Sequence, residues 1–342
     1  MENVLPVYRC PALTVLVDDS RSFLDSLVFQ LGPQLECRAF QDAEAALPWI
    51  RHAFRRAAQQ NEPIRVGFDE ESDLLERRNV SIYLDRIYSI VTDRQRFSLP
   101  AAVVVDYAMP HMNGVEFCEA IKDLPCKKIL LTGQADEKIA IQAFNRKLID
   151  RYIKKNDLEA LGHLGAEIAV LQKEFFSAQT STLKDLLARH SYAFLSDPVM
   201  AALVEQLATR YRFVEYYLFP HPQGVLFFDA GGHGTLMVIE TASSLTTHME
   251  VAQDQGAPQP LIDGLREMHL VPFFSDTGGM YVKEVGQNWL QYCLPPHVCH
   301  GRENYYWALF DLPAHYLSGP VYSYAEHLKD ATGGLAGAHL PG

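Results

Sequence analysis

Asp18, Asp19, Asp106, Thr132 and Lys155 are side chains of this sequence whose types answer to a single chemistry. Carboxylates brought close together repel one another unless a divalent cation lies among them. An oxygen-only ligand set, with room for water and a phosphoryl oxygen, favours Mg²⁺. An aspartate can also be the nucleophile in phosphoryl transfer, ending as an acyl phosphate. The moving group then needs a metal ion, a lysine and a hydroxyl donor around its equatorial oxygens, because charge builds there.

These positions span most of the first half of the chain, so the fold has to gather them. Residues 12–17 form a short apolar run that stops at Asp18-Asp19-Ser20, and an amphipathic stretch follows from Phe23 to Leu31. The pattern recurs at Ala101–Val105, which ends at Asp106 and leads into a helix over residues 113–122. It recurs at Ile129–Leu131, ending at Thr132 before a helix over residues 136–146, and at Arg151–Ile153, ending at Lys154-Lys155. A second strand is expected at about Leu35–Phe40. Continuous apolar strands feeding helices mark a parallel sheet covered on both faces. The carboxyl ends of such strands share one rim, where ligands bind. An Asp-Asp pair after a strand reads by itself equally well as a helix cap and turn; the ordered set does not.

Residues 12–155 resemble bacterial response-regulator receiver domains in motif and in order. TVLVDDS is similar to the acidic pair, VVVDYAMPHMNG to the phosphoacceptor loop, ILLTGQAD to the switch hydroxyl segment and RYIKK to the final strand with its lysine. The resemblance implies a doubly wound, flavodoxin-like α/β fold in which Asp18 and Asp19 hold Mg²⁺ and Asp106 takes a phosphoryl group from a histidine kinase or phosphotransfer protein. It also implies that Thr132 and Lys155 read that group, that the Ala108 carbonyl completes the metal shell, and that Tyr152 is an aromatic switch. Tyr152 also reads as a core aromatic, and Lys154 is the alternative to Lys155. Two departures stand out. The family usually has a cis-linked proline after the lysine, where this chain has Asn156; a non-proline cis bond costs ~3 kcal/mol, so a trans or strained loop is expected. The stretch between Asp19 and Asp106 is roughly twice what a minimal layout of this kind requires.

That surplus sets the expected domains: a receiver over residues 1–160 with a helical insertion at about 50–99, a connecting helix over 161–195, an α+β output domain over 196–330 and a flexible tail over 331–342. In the insertion a helix runs from Ala43 to about Gln59, a loop covers Asn61–Phe68, and a further helix carries Val80, Tyr83, Ile87, Ile90 and Val91 at helical spacing. Its stripe packs on its own domain or meets a kinase or second subunit. Leu161, Leu164, Ile168, Leu171, Phe175 and Ala178 step by three and four. They either cover the sheet or form a short coiled coil joining a homodimer.

The second half reads as an antiparallel meander at Val214–Phe219, Val225–Asp229 and Leu236–Glu240, with helices at 198–208, 243–255 and 260–268. Short strands are expected at Val271–Phe274, Gly279–Val282 and Tyr305–Asp311, in an arrangement shared with PAS and GAF modules. Gly231-Gly232-His233-Gly234 reads as a hairpin turn, since a strand follows it and not a helix. Cys293 to His300 matches no standard zinc spacing and reads as a loop. The many aromatics build the sheet core or line a pocket for a planar ligand.

A net charge of −12, with no basic recognition helix, argues against a nucleic-acid-binding output. The six cysteines include no CxxC pair, and neither a signal pattern nor a membrane-spanning run is visible, so a cytoplasmic protein is expected. The expected function is phosphoryl relay from Asp106 to an output that binds a protein or small ligand. The alternative is an output enzyme acting on a nucleotide or other small molecule, with Asp229, His233, Glu240 and His248 converging in a cleft. The long insertion and stretches such as DYAMPHMNGVEFC also resemble the response regulators of α-hydroxyketone quorum-sensing circuits of the Legionella type.

Overall fold

A computed structural model describes residues 5–32, 35–60, 64–68, 78–133, 137–190 and 192–336. The chain divides into two compact units, one of Cys10–Glu62 with Arg94–Gln179, the other of Met1–Arg9 with Pro63–Asp93 and Thr180–Gly342.

The first unit holds five parallel strands in the order Cys37–Phe40, Leu13–Val17, Pro100–Asp106, Lys127–Thr132, Arg151–Lys154. Pro100–Asp106 is buried along its whole length, as a central strand must be when helices cover both faces. Alternate side chains serve opposite cores. Val15, Val17, Val103, Val105 and Leu130 meet Ala46, Ile50, Phe117 and Ala140 on one face. Leu16, Ala102, Val104, Ile129 and Leu131 meet Leu24, Leu27, Leu164, Ile168 and Leu171 on the other. This is the doubly wound sheet read from the sequence.

The last of those residues belong to one 27-residue helix, Leu164–His190. Leu161, Leu164, Ile168 and Leu171 are buried in the sheet-facing core, so their stripe covers the sheet and is not a free coiled-coil seam.

The insertion differs from expectation. Ile64–Phe68 and Arg78–Ile82 pair antiparallel as a two-stranded ribbon, where a loop and a helix were expected. The first expected helix is present as Ala43–Gln60, but of the second, among the described residues, only Asp85–Ser89 is α-helical, followed by a 3₁₀ turn at Ile90–Thr92. Val80-Ser81-Ile82 is a β-branched alternation as well as part of a helical stripe, and pairing with the partner strand resolves that ambiguity. Residues 63–93 also group with the second unit and not with the parallel-sheet unit, where the sequence placed them. Ile87, Ile90 and Val91 enter the second unit's core, and the Tyr88 ring lies 4.9 Å from that of Phe219. Asp69, Glu70 and Glu71, an acidic run in the sequence of the insertion, lie outside the described residues.

The second unit is an antiparallel sheet ordered Tyr8–Arg9, Phe213–Phe219, Gly224–Asp229, Gly234–Glu240, Asn304–Asp311, His297–His300. The meander and its glycine-rich turn stand where the sequence placed them. Helices Pro198–Tyr211, Ala242–Asp254 and Gln259–Arg266 accompany it. The expected strand at 279–282 is absent: Gly278 and Gly279 have φ of 71° and 94°, and only Phe274 and Gly279 bridge. Such angles break a ladder. Cys293–His300 is not a loop but two short strands, Cys293–Leu294 and His297–His300. The two prolines fall between them, where no ladder donor is needed. The expected tail begins as helix, Tyr324–Ala336, and residues 337–342 lie outside the described ones.

Candidate functional site

At the carboxyl rim of the parallel sheet, Asp106 ends the central strand with 4% of its surface exposed. The loop that follows is tied back at both ends: Tyr107 N–H donates to Leu131 O at 2.9 Å, and Gly114 N–H to Tyr107 O at 3.0 Å. Asn113 starts the next helix with a capping box, accepting from Val115 and Glu116 N–H while its own N–H reaches Glu116 Oε2. A Cβ at Gly114 would collide with the Asp106 carbonyl and stand 2.7 Å from Leu130 Cδ1. The glycine lets the helix start lie against the acidic strand end.

Asp18 directly follows the neighbouring strand, Leu13–Val17. Its N–H donates to Phe40 O at 3.1 Å, and its Oδ1 accepts from Ser20 N–H at 2.9 Å. Ser20 then caps the helix Arg21–Leu31. One carboxylate oxygen from each of Asp18, Asp19 and Asp106 lies within 4.8 Å of the others. Asp19 is exposed and the other two buried, so the cluster opens to solvent on one side. Among the described residues it is the group of metal-capable side chains that the fold assembles. Its donors are all oxygen, which fits Mg²⁺ or a similar hard cation.

Lys155 N–H donates to Thr132 O at 2.9 Å, setting the lysine one step beyond the last strand pair. Its Nζ stands 2.7 Å from Asp18 Oδ2 and 2.9 Å from Asp106 Oδ1. No well-angled hydrogen bond reaches that Asp18 oxygen, so the close approach is an ion pair. His221-Pro222 is the cis peptide bond found among the described residues, so Lys155–Asn156 is trans, and the lysine reaches the acidic site without the cis-proline. Lys154 instead pairs with Glu137 at 3.0 Å, away from the cluster. Thr132 is fully buried, its hydroxyl unpartnered among the described residues. Tyr152 packs half-buried against the core that includes Leu130.

Burial is the main cause raising the Asp106 carboxyl above its ordinary pKa, with Asp18's charge adding to it. The Lys155 contacts and a hydrogen bond from Ala108 N–H oppose the rise without cancelling it. Burial is also the largest single influence on Lys155, pulling it down, but its close contacts with the Asp18 and Asp106 carboxylates and their negative charge together lift it above its usual value. Phe23 is the residue that sequence reasoning passed over: Lys155 Nζ lies 4.6 Å from its ring centroid. Its only sequence signal is an aromatic in the first turn after the acidic pair.

The second unit's candidates do not form one site. Asp229 Oδ1 accepts from Gly231 and His233 N–H within the hairpin turn. Glu240 and His248 pair at 3.3 Å, both buried, at the other end of the strand Gly234–Glu240. A strand of that length separates the two pairs by roughly 20 Å.

The Legionella pneumophila response regulator LqsR superposes on this chain with a TM-score of 0.77 at 31% identity, covering 96% of this chain and 97% of LqsR. The chain belongs to the LqsR family of response regulators. An adenylate cyclase from Rhodopirellula baltica (20% identity, TM-score 0.34) covers 52% of this chain and 97% of its own. A receiver domain from Clostridium thermocellum (16%, TM-score 0.31) covers 49% and 96%. Both superpose too loosely to bear on this LqsR-family chain. No family model and no curated protein sequence matches it. No helix among the described residues is long and apolar enough to cross a membrane.

Proposed function

We propose that Asp106 accepts a phosphoryl group from a histidine kinase or phosphotransfer protein and relays that state to an output that does not bind nucleic acid. The observation that carries this reading is the buried Asp106 carboxylate, clustered with Asp18 and Asp19 and touched by Lys155 at 2.9 Å. In the reaction an Asp106 carboxylate oxygen attacks phosphorus, the oxygen–phosphorus bond forms, and the phosphorus–nitrogen bond to the donor imidazole breaks, the imidazole leaving with a proton. Lys155 neutralises charge on the arriving group, and the Thr132 hydroxyl donates to one of its oxygens. Asp18, Asp19, Asp106 and the Ala108 carbonyl are the ligands for Mg²⁺, which supplies charge neutralisation when bound. Tyr152 follows Thr132 inward as the switch. The output, residues 180–342 with the strand at Tyr8–Arg9 and the insertion, engages a protein or small ligand. A cleft of about 460 Å³ lined by Phe273, Tyr292, Phe310, Asp276 and Asp311 is available for it. The protein acts as a homodimer in a quorum-sensing circuit of the α-hydroxyketone kind.

The test is incubation with Mg²⁺ and acetyl phosphate, or with beryllofluoride, for wild type and Asp106→Asn. With acetyl phosphate the wild type should gain one phosphoryl group by mass, and with either reagent it should change its oligomeric state. The variant should do neither, and an equal gain in both would remove Asp106 from its role.

A further inference from the structure

Phe23 bears directly on how Lys155 is held. The ammonium meets two carboxylates, Asp18 at 2.7 Å and Asp106 at 2.9 Å, and one aromatic face, that of Phe23, at 4.6 Å. Lysine is a compact charge on a flexible four-carbon stem, so the groups around its head fix its position. Asp18 is also one of the carboxylates clustered closely enough to hold a cation. A carboxylate shared with a divalent ion offers less to an ammonium. The ring face is the contact that such sharing leaves unchanged. An aromatic face attracts a cation through its quadrupole, most strongly where water is scarce, and 24% of the Lys155 side chain is exposed. Phe23 is itself backed by the core around Leu16, Leu24 and Leu27, so the platform is firm.

We propose that Phe23 is the positioning residue for Lys155, its ring face keeping the ammonium beside Asp106. The kinetic consequence rests on Asp106 being the phosphoacceptor; the positional claim stands without it. The test uses the full chain with a trifluorinated phenylalanine at position 23, which keeps the ring's shape but strips its negative face. Phe23→Leu removes the ring, and Phe23→Tyr preserves it. The first readout is the rate at which an amine-acylating reagent labels Lys155 in excess MgCl₂, followed by peptide mass. The second is the rate of phosphorylation by acetyl phosphate. The fluorinated and Leu chains should label about threefold to tenfold faster and take up phosphate slower by a similar factor. The Tyr chain should match wild type. A fluorinated chain that labels at the wild-type rate, or a Tyr chain that labels like Leu, overturns the proposal and leaves Phe23 a packing residue. If the wild type takes up no phosphoryl group, the proposed function fails, while the labelling still decides whether the ring holds the lysine.

Discussion

Gly114→Ala should damage both the stability of the receiver and its phosphorylation, because the added methyl has nowhere to go. It would collide with the Asp106 carbonyl and lie 2.7 Å from Leu130 Cδ1. The carbonyl is backbone and Leu130 is fully buried, so neither can swing aside. An unstrained carbon–carbon contact is about 3.5–4.0 Å, which requires the helix start to retreat by roughly 1 Å. That stretches the Gly114–Tyr107 hydrogen bond, now 3.0 Å, at a cost of about 1 kcal/mol. The residual overpacking adds about 1–3 kcal/mol. The sum, roughly 2–4 kcal/mol, corresponds to a melting point lower by roughly 4–16 °C for a unit of this size. Moving Asp106 by a fraction of an ångström should also slow phosphorylation by acetyl phosphate, up to about a hundredfold for a full ångström. Gly162→Ala is the control: nothing lies within 4 Å of a Cβ there, so it should be neutral or stabilise by about 0.5–1 kcal/mol. The assays are calorimetry and initial phosphorylation rates. A Gly114→Ala chain that melts and reacts like wild type would refute the close-approach argument.

Lys155→Met leaves two buried carboxylates without their cation and should destabilise the receiver by roughly 2–4 kcal/mol in urea titration, less than a fully buried pair would cost. Lys154→Met, whose pair with Glu137 is exposed, should leave both melting and phosphorylation unchanged. Burial raises the Asp106 pKa in the folded state, so the associated stability is present at low pH and lost as pH rises through that pKa. Asp106→Asn should therefore be more stable than wild type at neutral pH, and the difference should vanish on acidification when unfolding is followed across pH. Ile87→Ala, at a side chain 1% exposed, should cost about 2–5 kcal/mol. Calorimetry should show that loss in the second unit's transition and not in the receiver's.

The acidic site was legible in the sequence because each of its members stands at or just past the end of a strand, and parallel strands must present their carboxyl ends together. Chain order plus residue type was enough to gather Asp18, Asp106, Thr132 and Lys155, and the trans Lys155–Asn156 linkage did not displace the lysine. The second unit's meander was legible for a similar local reason, namely alternation broken by turn residues. Other features depended on partners far away in sequence. Val80 to Ile82 satisfies helical and strand patterns alike, and only its ladder with Ile64–Phe68 decides for strand. The apolar side of Ile87 to Val91 specifies burial without naming the core, which proved to be the second unit's. Tyr8–Arg9 becomes a strand only because Phe213–Phe219 offers it an edge. Phe23 acquires meaning only when Lys155, from the far end of the sheet order, arrives over its ring. Local pattern thus determined which residues gather at the strand ends. Tertiary structure decided which core each segment joins and what holds the lysine, because burial and charge pairing depend on neighbours that sequence distance does not reveal.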